Sequence, residues 1–369
     1  MTWNSDLLNT RDRHKNTAVI LLGKRKWCYM AGIYNGNGKR IEAVCRKMAA
    51  VLLMCLLFGM SCLLSGCSKA KQQEGTSTDD GRIKVVTTIF PQYDFVRQIA
   101  GGRADLKMLL KPGEESHSYE PTPQDIIAIQ NCDLFIYVGG ENDEWVEDIL
   151  SSMDTGRMAT LRLVDCVDTV EEEHVEGMKE NHREEEENQG EYDEHVWTSP
   201  KNAVKIVDNI TQLLCRADAE NADAYKRDAE TYIHKLEDLD AQFRQVVEES
   251  DRDTILFGDR FPFRYFADEY GLRYYAAFPG CASDTEPSAA TMAFLINKVK
   301  EEKIPVVLKM ELSSDHISRA IAEATGAEVK VFYSCHNISA KQFQNGETYM
   351  SLMEKNVETL REALSDGTD

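Results

Sequence analysis

The chain has 369 residues, with 42 Lys/Arg against 63 Asp/Glu and a formal net charge of −21. An acidic surplus of this size excludes a protein built to grip nucleic acid, whose phosphates demand cationic partners, and suits one that gathers cations. The length beyond a basic first 66 residues is ample for two lobes of ordinary domain size.

Residues 1–47 match no targeting signal, and the true start is expected at Met48 or a nearby Met. From Met48 the chain runs apolar to Gly66, behind Arg46 and Lys47, which is the layout of a signal peptide rather than of a membrane anchor. Its close, Leu63-Leu64-Ser65-Gly66-Cys67, resembles a bacterial lipobox, which implies cleavage before Cys67, acylation of its sulfur and a cell-membrane protein lipid-anchored on the extracytoplasmic face. Residues 67–81 are polar and read as a flexible tether.

From Arg82 onward, strand and helix patterns alternate. Ile83–Ile89 reads as a strand, Pro91–Ala100 as a helix, Ala104–Leu110 as a strand, and a helix follows from about Thr122. Asp133–Gly139 and Ala159–Val164 are further strands around a short helix at Glu144–Ser152. Ser199–Arg216 and Asn221–Glu249 are long helices. A second series then runs through strands at Thr254–Phe257, Arg273–Ala277, Pro305–Lys309 and Glu328–Phe332, with helices at Phe261–Tyr270, Pro287–Glu302 and Ser314–Thr325; Gly346–Leu364 closes the chain as a helix. Alternation at this spacing means βαβ units on parallel sheets. The fold class is α/β, with an N-terminal lobe at 82–216, a connecting helix at 217–250, a C-terminal lobe at 251–369 and a cleft between the lobes.

Within the first lobe, Glu171–Glu194 holds twelve acidic and two basic residues around His174 and His182. It lacks apolar periodicity, so the stretch 170–194 reads as a disordered loop whose carboxylates and imidazoles capture a metal loosely. Beyond Cys67, the remaining cysteines are Cys132, Cys166, Cys215, Cys281 and Cys335; Cys281 and Cys335 both follow strands of the second half and form the candidate disulfide.

Two histidines stand out. His117 sits on a loop after a strand, in Lys111-Pro112-Gly113-Glu114-Glu115-Ser116-His117-Ser118-Tyr119-Glu120-Pro121-Thr122-Pro123, where three prolines stiffen the backbone. His195, in Glu194-His195-Val196-Trp197-Thr198-Ser199-Pro200, precedes a helix with Ser199 as its N-cap. Two imidazoles from one lobe leave a metal needing one or two ligands from the other.

These two stretches, with Tyr265-Phe266-Ala267-Asp268-Glu269-Tyr270-Gly271-Leu272, Glu286-Pro287-Ser288-Ala289 and Tyr349–Met353 with Asn356, resemble in order the zinc/manganese substrate-binding lipoproteins of ABC transporters, from about Lys84 to Leu364. The resemblance implies two Rossmann-like lobes joined by a long rigid helix, one metal between them, and delivery to a membrane permease driven by an ATPase. His117 and His195 match the family's first two ligands. The third position departs: counting back five residues from Tyr265 gives Arg260, which coordinates no cation, and a one-residue shift gives Asp259. At the fourth, Tyr333-Ser334-Cys335-His336-Asn337 offers His336 where the family has an Asp, with the Cys335 thiolate as the alternative; Glu311 faces the expected cleft as a hydrogen-bond partner. The expected ligand set is therefore His117, His195, Asp259 and His336.

Three histidines and one carboxylate suit Zn²⁺, and a second carboxylate would tilt the site toward Mn²⁺. The leading reading is a monomeric zinc-capturing transport protein, not an enzyme. A manganese carrier and a metal-dependent adhesion protein are its alternatives. A zinc hydrolase is a third class, without a His-Glu-x-x-His helix or a Gly-x-Ser-x-Gly elbow to support it.

Overall fold

The computed structural model describes residues 81–114, 119–140, 143–178, 192–282 and 286–365. The signal-peptide stretch, Cys67 and most of the tether lie outside these residues, as do His117 and His182. The described residues belong to one compact unit.

Its first half contains β1 (Ile83–Thr87), α1 (Phe90–Ala100), β2 (Ala104–Met108), α2 (Pro123–Gln130), β3 (Leu134–Tyr137), α3 (Glu144–Ser152) and β4 (Ala159–Arg162). The strands form a parallel sheet in the order β2-β1-β3-β4, with Val85 opposite both Leu106 and Leu134. After α4 (Pro200–Ala217) and α5 (Ala222–Glu248) come β5 (Thr254–Phe261), α6 (Arg264–Tyr270), β6 (Arg273–Pro279), α7 (Ala289–Glu302), β7 (Val306–Lys309), α8 (His316–Thr325), β8 (Glu328–Val331), α9 (Ala340–Gln344) and α10 (Tyr349–Ala363). The second sheet repeats the first, parallel in the order β6-β5-β7-β8. Each order reverses direction beside its first strand, the topology that opens a crevice at the carboxyl ends of the strands.

α5 has 27 residues, which makes it ~40 Å long at 1.5 Å per residue. It buries Tyr225, Ala229, Tyr232, Leu236, Leu239, Phe243 and Val246. Steps of three and four put these residues on one stripe. That stripe packs on α1 and α4 of the first half and on α6 and α10 of the second, so one helix spans both halves. The core is continuous across them: Ile136, Trp197, Phe257, Phe332 and Tyr349 belong to one buried cluster. Capping follows the sequence where a Ser or Thr precedes a Pro. Thr122 accepts the Asp125 amide and Ser199 the Asn202 amide.

Three expectations change. β5 runs on to Phe261 through a register break between Phe257 and Arg260, so Gly258, Asp259 and Arg260 lie in a strand and α6 starts three residues later than the helix read from Phe261. The described arms of the acidic loop are ordered. Glu171 bridges Tyr192, Glu172 accepts the Cys281 amide at 2.9 Å, and Thr291 donates to the Gly177 carbonyl at 2.9 Å. Val175 and Met178 pack against the core, an apolar contact too sparse to register as periodicity. The Cys281–Cys335 bond is absent: neither is in a disulfide, Cys335 being buried within the core and Cys281 half-buried beside the acidic cavity described below. No described helix is long and apolar enough to cross a membrane.

Candidate metal site

β4 leads through the acidic loop to His195, which opens a short 3-10 turn at Val196–Thr198 ahead of α4. The imidazole is 1 % exposed. Its Nδ1 lies 3.0 Å from Asp193 Oδ1, and the same oxygen accepts the His195 amide at 2.8 Å. Burial alone would depress this imidazole's pKa; the Asp193 charge outweighs it and holds the pKa above the ordinary histidine range.

His336 arrives from the other half, on the loop after β8. Its ring centroid is 5.6 Å from that of His195, edge-on, and Trp197 stands 5.2 Å from His336. Three buried hydrogen bonds hold this meeting of halves in place. The Trp197 indole donates to the Ser334 carbonyl at 2.8 Å, and the Tyr349 hydroxyl donates to the Trp197 carbonyl at 2.7 Å. The Phe90 amide donates to the His336 carbonyl at 3.4 Å. Asn337 donates to the carbonyls of Lys111 and Glu114, at 2.9 and 2.8 Å. It thereby pins the entry of the loop that carries His117 next to His336.

A cavity of about 40 Å³ is lined by His195, Arg260, Glu311, His336, Asn337 and Glu114. A single water needs about 10–15 Å³ by this measure, so the space suits an ion with a water or two. Glu311 accepts both the Ser334 amide at 2.7 Å and the Ser334 hydroxyl at 2.8 Å. Burial pushes its carboxyl up to about 7. It is a structural partner of the His336 loop, the role read for it from the sequence.

The structure does not bring Asp259 to the histidines. Its carboxylate accepts the Arg260 amide at 2.9 Å, the Met310 amide at 3.0 Å and the Ser313 hydroxyl, tying β5 to the turn after β7, and the cavity with His195 and His336 is lined by Arg260 instead. The ungapped count back from Tyr265 therefore marks the cleft-facing residue. Among the described residues no three His, Cys, Asp or Glu side chains converge as a metal set; His195 and His336 are two imidazoles brought together, and His174 is exposed on the acidic loop.

A larger cavity of about 480 Å³ lies alongside, lined by Asp143, Glu144, Glu147, Asp148, Glu172 and Glu194, with Arg162 and Cys281. Burial pushes the Asp143 carboxyl up to about 7 against the hydrogen bonds it accepts from the Val138 and Gly139 amides. Sequence reasoning left several supporting residues without a role. Asp193 was hidden in an acidic run. Trp197, Tyr265, Tyr349 and Asn356 stood in motifs with nothing to say what they touch. Asn356 proves to clamp the Tyr333 backbone, accepting its amide at 2.7 Å and donating to its carbonyl at 2.8 Å.

Over residues 85–363 the sequence matches the family described as zinc-uptake complex component A, periplasmic. The chain belongs to that family. It is 31% identical over 324 residues to the zinc-binding lipoprotein AdcA of Streptococcus pneumoniae, covering 86% of this chain and 61% of that one. It thus spans about three-fifths of that relative's length. It is also 31% identical over 309 residues to the high-affinity zinc uptake system protein ZnuA of Bacillus subtilis, covering 82% of this chain and 94% of the relative. The Zn(II)-bound ZnuA-like domain of Streptococcus pneumoniae AdcA superposes with a TM-score of 0.65 at 28% identity, over 78% of this chain and all of that domain. A laminin-binding adhesin of Streptococcus agalactiae shares the fold, at 24% identity and a TM-score of 0.64.

Proposed function

We propose that this protein captures Zn²⁺ outside the membrane and hands it to an ABC permease driven by its ATPase, as a monomeric binding component without catalytic activity. The observation that carries the reading is the approach of His195 and His336, one from each half, to 5.6 Å between ring centroids, with Asn337 fastening the base of the His117 loop beside them. His117, His195 and His336 are the proposed protein ligands. Three imidazoles with a water in the fourth position suit tetrahedral zinc. Asp259 and Glu311 already accept hydrogen bonds from backbone and serine donors, which argues against the carboxylate-rich set that manganese favours. His174 and His182 on the acidic loop, with the carboxylates of the neighbouring cavity, raise the local cation concentration. Acylated Cys67 anchors the protein to the membrane, and 67–81 is the tether.

The test is a competition titration of the metal-free protein with Zn²⁺ and Mn²⁺, beside His117→Ala and His336→Ala. One zinc per chain, bound far more tightly than manganese and lost in both variants, is the expected result. Tight zinc binding that survives both substitutions overturns the ligand set.

A further inference from the structure

We propose that Asp193 is a positioning residue for metal capture: it holds His195 in one tautomer and aims Nε2 at the cleft. The proposal rests on the ligand role assigned above to His195.

Asp193 is fully buried, and one of its oxygens does all its visible work. Oδ1 takes the His195 amide at 2.8 Å and the His195 Nδ1 at 3.0 Å, so the backbone and the ring of the same residue are fixed by one atom. A carboxylate accepts and does not donate, so Nδ1 carries a proton, and in the neutral ring the lone pair then sits on Nε2. That is the state a metal requires, and the ring needs no rotation to present it. The other oxygen, Oδ2, is buried and has no hydrogen-bond donor among the described residues. Burying a carboxylate oxygen without a donor costs free energy that a purely structural hydrogen bond to one histidine would not demand, since an Asn or Ser could accept from Nδ1 there. A carboxylate at this place is explained by what its geometry does to the imidazole: it fixes Nδ1 as the donor and leaves Nε2 to the cleft.

The rest of the molecule holds Asp193 still. Its amide donates to the Val170 carbonyl at 2.9 Å, and its carbonyl accepts the Tyr265 hydroxyl at 2.6 Å. Tyr265 comes from α6 of the second half and also accepts the Val170 amide at 3.3 Å. One tyrosine thus closes the base of the acidic loop and fixes the residue that orients the ligand.

The experiment is a zinc titration against a chromophoric chelator on the metal-free full-length protein and on Asp193→Ala, Asp193→Asn, His195→Ala and the Asp193→Ala/His195→Ala pair. Loss of a carboxylate that orients a ligating histidine costs about 10–100-fold in affinity, and Asp193→Ala is expected in that range. Asp193→Asn, which keeps an acceptor and drops the charge, is expected between Asp193→Ala and the parent. The pair is expected to bind no more weakly than His195→Ala alone, because a residue acting only through His195 has nothing left to orient. Nitrogen-15 imidazole spectra of the metal-free protein read the tautomer directly: Nδ1 protonated in the parent, mixed in Asp193→Ala. Asp193→Ala within twofold of the parent, or the pair losing the full Asp193→Ala factor again on top of His195→Ala, overturns the proposal. If His195→Ala itself binds zinc like the parent, it is the ligand assignment that fails, and the spectra still report whether Asp193 fixes the tautomer.

Discussion

Trp197 ties the two histidine-bearing segments together, and Trp197→Phe tests how much that tie contributes. The side chain is fully buried, and its indole N–H donates to the Ser334 carbonyl at 2.8 Å. Phe keeps an aromatic ring in place and removes the donor. Leaving the buried Ser334 carbonyl without it costs about 1–3 kcal/mol. The smaller ring adds about 1–2 kcal/mol of lost burial and residual cavity. The Tyr349 bond to the Trp197 carbonyl is a backbone contact and survives. The expected total is about 2–5 kcal/mol, or roughly 2–4 °C of melting temperature per kcal/mol. Urea unfolding of the metal-free protein reads the stability, and a zinc titration of the folded variant reads the site. Affinity should fall as well, because the Ser334–His336 loop loses its tether to the His195 turn. A stability change below about 0.5 kcal/mol with unchanged zinc affinity would refute the claim that this bond holds the halves in register.

Asp143 has its carboxyl raised to about 7 in the folded protein, against an ordinary value of 3.8, so between these values the folded state binds more protons than the unfolded chain and stability is lost as pH rises. From pH 5.5 to 8 its share of that loss is about 2 kcal/mol, Glu311 pulls in the same sense, and denaturation of metal-free Asp143→Asn across this range should be flatter than the parent's by that order. Gly177→Ala places a Cβ within 2.2 Å of the Phe294 ring at a φ of +99°, so the acidic arm should come away from α7 and limited proteolysis should cut it markedly faster, with the global unfolding midpoint little changed.

The alternation of strands and helices was legible because βαβ units carry strong period-2 and period-3.6 signals, and because Thr122 and Ser199 mark helix starts chemically. The helix α9 escaped notice because five residues are too few for a periodic signal, although Ser339 and Gln342 form its capping box. In the candidate site, His195 and His336, which the structure brings to 5.6 Å between ring centroids, were singled out by residue type and by the loops they occupy. Their supports were not. Asp193 lies two residues from His195, yet its role depends on a fold of the backbone that returns its carboxylate to its neighbour's ring. Trp197 and Ser334 are 137 positions apart, and no local pattern announces that pairing. Asp259 shows the opposite failure. A carboxylate at a strand end has the right chemistry for a ligand, but Met310 and Ser313, about fifty positions later in the chain, consume it.

The most direct test of a two-sided imidazole site is zinc K-edge absorption spectroscopy on the protein loaded with one equivalent of Zn²⁺, compared with His336→Ala loaded alike. Four light-atom ligands near 2.0 Å are expected, with the multiple-scattering pattern of three imidazoles in the parent and two in the variant. A spectrum with sulfur scattering from Cys335, or an imidazole count that His336→Ala leaves unchanged, would contradict such a site.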